Sequence, residues 1–230
     1  MNTGRVALAR FIVPFGVLLL VSGALIFTGG CGGSSGSSTS PNIYVANLAA
    51  NSVTIFPISA TGNVTPTSTI SGQATGISGP FGLTLDSQGN MYVANGEGNS
   101  VTIYAAGAAG NATPTITISG AATGLNEPTG VAIDSHGNIY VANANGNTVT
   151  VYAAGASGNA TPTATISGAA TGLNEPVGVA INSQGNIYVA NVNGNTVTVY
   201  AANATGNATP TAVIAGASTG INAPRGITVH

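Results

Sequence analysis

Asp86, Asp134, Asn182 and His230 stand 48 residues apart and so hold equivalent positions of one recurring unit. Carboxylate and amide oxygens converging on one point would suit calcium, which takes about six to eight oxygen ligands, several of them charged. Only two carboxylates stand in this set. Each Asp or Asn also suits a turn, where its side chain accepts from backbone N–H groups just downstream. Asp86, Asp134, Asn182 and His230 are therefore the candidate metal residues and Ca²⁺ the candidate cofactor. The alternative is four self-contained turns and no cofactor.

Two further sets bear on chemistry. Asn143, Asn145 and Asn147 share a spacing with Asn191, Asn193 and Asn195 that is faintly like a calcium loop. It lacks the acidic residues and the closing bidentate Glu of such loops, so turn chemistry accounts for it better. Glu127 and Glu175 precede prolines at equivalent points. Acid–base work on a glycosidic bond needs two carboxylates within about 10 Å, and loops one unit apart do not suit that. His136 occupies a turn position that holds Gln88 and Gln184 in other units, and His230 is terminal, so no serine nucleophile has a base. No catalytic residue is assigned.

The elements that place these residues recur four times. Asn42-Ile43-Tyr44-Val45-Ala46-Asn47 reappears from Asn90, Asn138 and Asn186 at a constant step of 48 residues. A fixed period of this size is the mark of a repeat architecture. Within residues 129–176 four short apolar or β-branched runs are separated by turn signals: Val131–Asp134, Ile139–Ala142, Thr148–Tyr152 and Thr163–Ser167. Helical periodicity is lacking. The second run is apolar on both faces, Ile139 and Val141 on one and Tyr140 and Ala142 on the other, which fits a sheet packed between two neighbours. Four-stranded units of this length stacked radially are propeller blades. Pro66, Pro114, Pro162 and Pro210 open the fourth strand of each unit, as an edge strand tolerates. The tyrosines and Phe56 that recur at repeat positions read as blade packing.

The fold class is thus all-β, a β-propeller of four blades over residues 42–230. The first repeat opens at its second strand, and Pro224–His230 reads as a first strand. The C-terminal strand is expected to complete the first blade and close the ring, giving a monomer rather than a dimer. A fragment of a larger propeller is the alternative.

Charged residues make up 3% of the chain, and the repeats hold one base, Arg225, against Asp86, Glu97, Glu127, Asp134 and Glu175. Nucleic-acid binding needs clustered Lys and Arg and is excluded as a role. Ahead of the repeats, Arg5 and Arg10 precede an apolar run from Phe11 to Phe27 and then Thr28-Gly29-Gly30-Cys31. A basic start, an apolar core and small residues describe an export signal, here residues 1–30. Residues 31–41, rich in Gly and Ser, read as a tether. Cys31, the single cysteine, excludes an intrachain disulfide.

Two resemblances attach to these residues. Cys31 after Gly29-Gly30 resembles the lipid-attachment cysteine of bacterial lipoproteins, although Thr28 stands where that family usually carries Leu. It implies a lipid-anchored, exported protein of the bacterial cell envelope. Pro128-Thr129-Gly130-Val131-Ala132-Ile133-Asp134 with Gly137-Asn138-Ile139-Tyr140-Val141-Ala142-Asn143 resembles the NHL repeat. Tyr140-Val141-Ala142-Asn143 followed by Asn147-Thr148-Val149-Thr150-Val151 is also similar to the YVTN repeat of surface propellers. These families include binding scaffolds, and related propellers include calcium-dependent lactonases with the metal at a channel mouth. The resemblance implies a surface-tethered scaffold that binds a protein or envelope component. The alternative it implies is a calcium-dependent lactonase or esterase at the central channel. The near-identity of the blades favours the scaffold.

Overall fold

The computed structural model describes residues 41–230, which form fifteen strands. The expected signal segment and Cys31 lie outside the described residues. The strands are β1 (Asn42–Asn47), β2 (Ser52–Pro57), β3 (Ser68–Ser71), β4 (Pro80–Leu85), β5 (Met91–Asn95), β6 (Ser100–Tyr104), β7 (Ile116–Ser119), β8 (Pro128–Ile133), β9 (Ile139–Asn143), β10 (Thr148–Tyr152), β11 (Ala164–Ile166), β12 (Pro176–Ile181), β13 (Ile187–Asn191), β14 (Thr196–Tyr200) and β15 (Ala212–Ile214). Every pairing within a sheet is antiparallel and between sequence neighbours, giving the up-and-down sheets β4–β7, β8–β11 and β12–β15, and the three-stranded β1–β3. These are the four blades.

Two-sided burial holds the blades together, as the alternation in the second strand requires. Ala94, Val101, Ile103 and Ile118 of the second blade pack against Val131, Ile139, Val141 and Tyr152 of the third. Ala142, Val149, Val151 and Ile166 of the third meet Val179, Ile187, Val189 and Tyr200 of the fourth. Ile139 and Val141 thus face backward and Tyr140 and Ala142 forward, and all five residues of β9 are buried. Burial of this apolar surface at about 25 cal/mol per Å² is the main force holding one blade to the next.

The innermost strands run side by side, and glycine makes that approach possible. A Cβ on Gly82 would lie 2.4 Å from the carbonyl oxygen of Thr129, one on Gly130 2.4 Å from that of Val177, and one on Gly178 2.6 Å from that of Arg225. A bulge between Pro128 and Gly130, repeated between Pro176 and Gly178, turns the strand there. It lets the Thr129 hydroxyl donate to the carbonyl oxygen of Pro176 in the next blade at 3.1 Å.

The closing strand differs from the expectation. The first sheet ends at β1, and Pro224–His230 is not a strand of it. The segment lies along β12 instead, with Arg225 and Ile227 against Gly178. The reason is continuation: Asn195 Oδ1 accepts from the Ala223 N–H at 2.7 Å, the same bond that starts each preceding blade, so the tail follows the array's own step. The prolines differ slightly too, since β7 begins at Ile116, two residues after Pro114.

Candidate functional site

The four innermost segments bound a concave groove of about 360 Å³. Its walls are main chain at Gly82, Gly130, Gly178 and Gly226, with side chains such as Leu83, Val131, Val179 and Ile227. Arg225 is the one ionisable residue in its lining. A groove lined mostly by apolar side chains and main chain offers shape and hydrogen-bonding edges.

Asp86, Asp134, Asn182 and His230 sit just beyond the groove, at the turn or terminus after each innermost segment. Asp134 Oδ1 accepts from the N–H groups of His136 and Asn138 at 2.8 and 2.9 Å. Its Oδ2 accepts from Asn138 Nδ2 at 2.8 Å and the Tyr140 hydroxyl at 3.4 Å. Asp86 repeats the pattern with Gln88, Asn90 and Tyr92. Three close donors and a longer tyrosine hydroxyl thus surround each carboxylate within its own turn. Asn182 accepts in the same way from Gln184 and Asn186, and its amide donates to the Tyr188 hydroxyl at 3.2 Å. His230 is exposed. Among the described residues no group of three or more His, Cys, Asp or Glu could hold a metal. Asp86, Asp134 and Asn182 are therefore turn closers, and His230 is an exposed terminal residue.

The electrostatics follow from this. Burial works against the Asp134 charge, but the hydrogen bonds from Asn138 and His136 outweigh it and hold the carboxyl below its ordinary value. Burial, then the charge of Asp134, raises Tyr140, and the same causes with Asp86 raise Tyr92. His136 is 82% exposed, with Nδ1 4.0 Å from Asp134 Oδ2.

The opposite rim carries the three glutamates. The Gly96 N–H donates to the Gly79 carbonyl at 2.9 Å, and Ala144 and Val192 donate likewise to Glu127 and Glu175. Glu97, Glu127 and Glu175 therefore share this rim, in successive blades. The sequence places no two of them in one loop, and the structure keeps them so.

The asparagines that sequence reading left as turn formers do more. Asn143 is buried, and its Nδ2 reaches the carbonyl of Val141 and the hydroxyls of Thr148 and Thr150 at 3.1–3.2 Å. Asn147 Oδ1 accepts from the Glu175 N–H of the next blade at 2.7 Å. Asn111, Asn159 and Asn207 accept from Ala74, Ala122 and Ala170 of the preceding blade at 2.7–2.8 Å. The acceptor asparagines Asn51, Asn99, Asn147 and Asn195 recur at the 48-residue step, but their partners lie in the next blade.

Comparison with known proteins agrees with this geometry. A family model for the NHL repeat matches residues 125–152 and 173–200. The search of curated proteins returned no match. Among solved structures, a functionally unknown protein from Desulfotomaculum acetoxidans is 22% identical with a TM-score of 0.55, over 81% of this chain and 56% of that one. A streptogramin B lyase structure is 14% identical with a TM-score of 0.50, over 73% of this chain and 53% of that one. A chain of the Chaetomium thermophilum Polycomb Repressive Complex 2 is 12% identical with a TM-score of 0.54, over 76% of this chain and 37% of that one. The chain spans about half the length of the first two. At such identities the likeness is one of fold. Its repeats, its stacked antiparallel blades and these neighbours give the chain a β-propeller fold, in which two segments match the NHL repeat.

Proposed function

We propose that this protein is a non-catalytic propeller scaffold that presents its rim loops to another protein or to an envelope component, held at the cell envelope through a lipid on Cys31. One observation carries the non-catalytic reading. The carboxylates of Asp86 and Asp134 are each engaged by three close donors of their own turns. The groove itself holds only Arg225 as an ionisable lining residue. Blades differ at exposed turn tips, among them Gln88, His136 and Gln184 at one rim and Glu97, Asn145 and Asn193 at the other. A binding scaffold gains specificity in this way, through tips carried on a rigid, repeated frame. The tether reading rests on Arg5, Arg10, the apolar run and Cys31.

The test is capture from the envelope fraction of the source cells by the full chain, compared with two variants in which the three tips of one or the other rim become serine. The expected result is a partner retained by the chain and lost with one rim variant. Unchanged capture by both variants, or metal-dependent turnover of small lactones by the native chain, would overturn the reading. Incorporation of labelled fatty acid that disappears in Cys31→Ser checks the anchor.

A further inference from the structure

Three junctions join the four blades, and the first is packed differently from the other two. Between the first and second blades lies a cavity of about 240 Å³, walled by β1–β3 on one side and by β5 and the turns around it on the other. Its floor is Ile55, Ile70 and Met91, all buried. Its mouth is formed by Thr67, Ala105 and Gly107, all exposed. Two lining positions set this junction apart. Ile116, Ala164 and Ala212 stand one, two and three repeat steps after Ser68, so Ser68 carries a hydroxyl where every other blade is apolar. Ile139 and Ile187 stand one and two steps after Met91, whose thioether is the more adaptable side chain.

Ser68 lies opposite Ile55 across the β2–β3 ladder and two residues from Ile70. Its side chain therefore shares their face, which packs on Leu83, Met91 and Tyr104 of the second blade. Ser68 Oγ is buried without a hydrogen-bond partner, the one such side-chain atom among the described residues. The Thr67 hydroxyl beside it donates to the Ile55 carbonyl at 3.0 Å, as Thr115 and Thr163 do in their own blades. Ser68 has no such use. A buried hydroxyl left unpaired loses its hydration for nothing, and the apolar residue of the other blades would avoid that loss. Among the described residues no charged side chain lines the cavity. An ionic occupant would be desolvated there without a counter-charge, so a neutral one is required. The aliphatic floor suits a hydrocarbon body, and Ser68 suits one head able to donate or accept. An engineered apolar cavity of about 150 Å³ takes benzene, so the larger volume here suits a body of about six to eight carbons.

We propose that the junction of the first and second blades is a binding site for a small neutral aliphatic alcohol. Its alkyl chain lies on Ile55, Ile70 and Met91, and its hydroxyl pairs with Ser68 Oγ. The site shares no lining residue with the groove along the innermost strands. Because the alcohol touches both blades, it binds the packed junction in preference to an opened one and stabilises it by mass action. The second junction has no such site, since Ile116 occupies the place of Ser68 and brings a larger side chain without a polar atom.

The chain has two methionines, Met1 and Met91, so labelling the methionine methyl groups of the full chain with carbon-13 places one reporter on the cavity floor. Titration with 1-hexanol is expected to shift the Met91 methyl resonance to a plateau and to raise the melting temperature. Ser68→Ala, which installs the residue that Ala164 provides in the third blade, is expected to keep the fold and to weaken 1-hexanol about fivefold. Ser68→Ile, which copies Ile116, is expected to fill the cavity and abolish the shift. A native chain whose Met91 resonance never saturates would show that water alone occupies the cavity and would overturn the proposal. So would an undiminished shift in Ser68→Ile, which would place the alcohol elsewhere, or equal affinity in Ser68→Ala, which would leave the hydroxyl without its role.

Discussion

Asn99 Oδ1 accepts a hydrogen bond from the main-chain N–H of Glu127 at 2.7 Å and so ties the β5–β6 turn of the second blade to the loop that opens the third. The same bond joins Asn51 to Gly79, Asn147 to Glu175 and Asn195 to Ala223. Both partners at the Asn99 junction sit at positive φ, 44° for Asn99 and 53° for Glu127. Asparagine tolerates that region better than most residues and supplies the acceptor as well. Asn99→Gly keeps the backbone but removes the acceptor. It is expected to cost about 1 kcal/mol, read as a lower urea midpoint with an unchanged slope.

How much of this was legible beforehand depends on the length scale. The 48-residue step and the two apolar faces of Ile139–Ala142 specify blades that pack on both sides, and β9 is buried on both sides. Asp134 was legible as a turn closer, because its partners lie two to six residues away. The staples from Asn99 to Glu127 and from Asn111 to Ala74 were not, because they join residues 28 and 37 apart whose proximity exists only once blades stack. The fate of Pro224–His230 was misread for a related reason. Its sequence states that it is an innermost strand, but which sheet it joins depends on the rotation between blades, which no local pattern encodes.

Gly130, like Gly82, is a sharp packing constraint between innermost strands. Its absent Cβ leaves room for the Val177 carbonyl, which would otherwise stand 2.4 Å away. The obstacle is backbone on a paired strand, so it cannot rotate aside. Gly130→Ala is expected to destabilise by about 3 kcal/mol, measured by thermal or urea unfolding. Ala on Gly155, where nothing lies within 4 Å but φ is 75°, tests the backbone effect alone. A larger loss at Gly130 than at Gly155 is the predicted order.

Asp134 sets an acid limit. Its folded carboxyl is held below its ordinary value, chiefly because the bonds from Asn138 and His136 overcome the opposing effect of burial. A depressed carboxyl contributes stability that is present above the unfolded value of about 3.9 and is lost as pH falls through the folded one. Asp134→Asn keeps the turn, since Asn182 closes the equivalent one. Melting temperatures recorded from neutral pH down to about pH 2 are expected to fall less steeply for this variant than for the native chain below about pH 4.

Tyr152 sets the alkaline limit. Its hydroxyl donates to the Thr123 carbonyl of the preceding blade at 2.6 Å, and burial raises its ionisation above the ordinary value. A group raised in this way contributes stability that is full below about pH 10 and is lost as pH climbs through the folded value. Tyr92, Tyr104, Tyr140 and Tyr200 are raised by burial too, so five tyrosines act in the same direction. Tyr152→Phe leaves a carbonyl without its donor, as Phe56 lacks one by nature, and is expected to cost about 1–2 kcal/mol at neutral pH. Above about pH 10 the variant should lose stability less steeply than the native chain, because one of the five raised ionisations is gone. Parallel pH slopes for the two proteins would show that Tyr152 does not ionise on unfolding in that range.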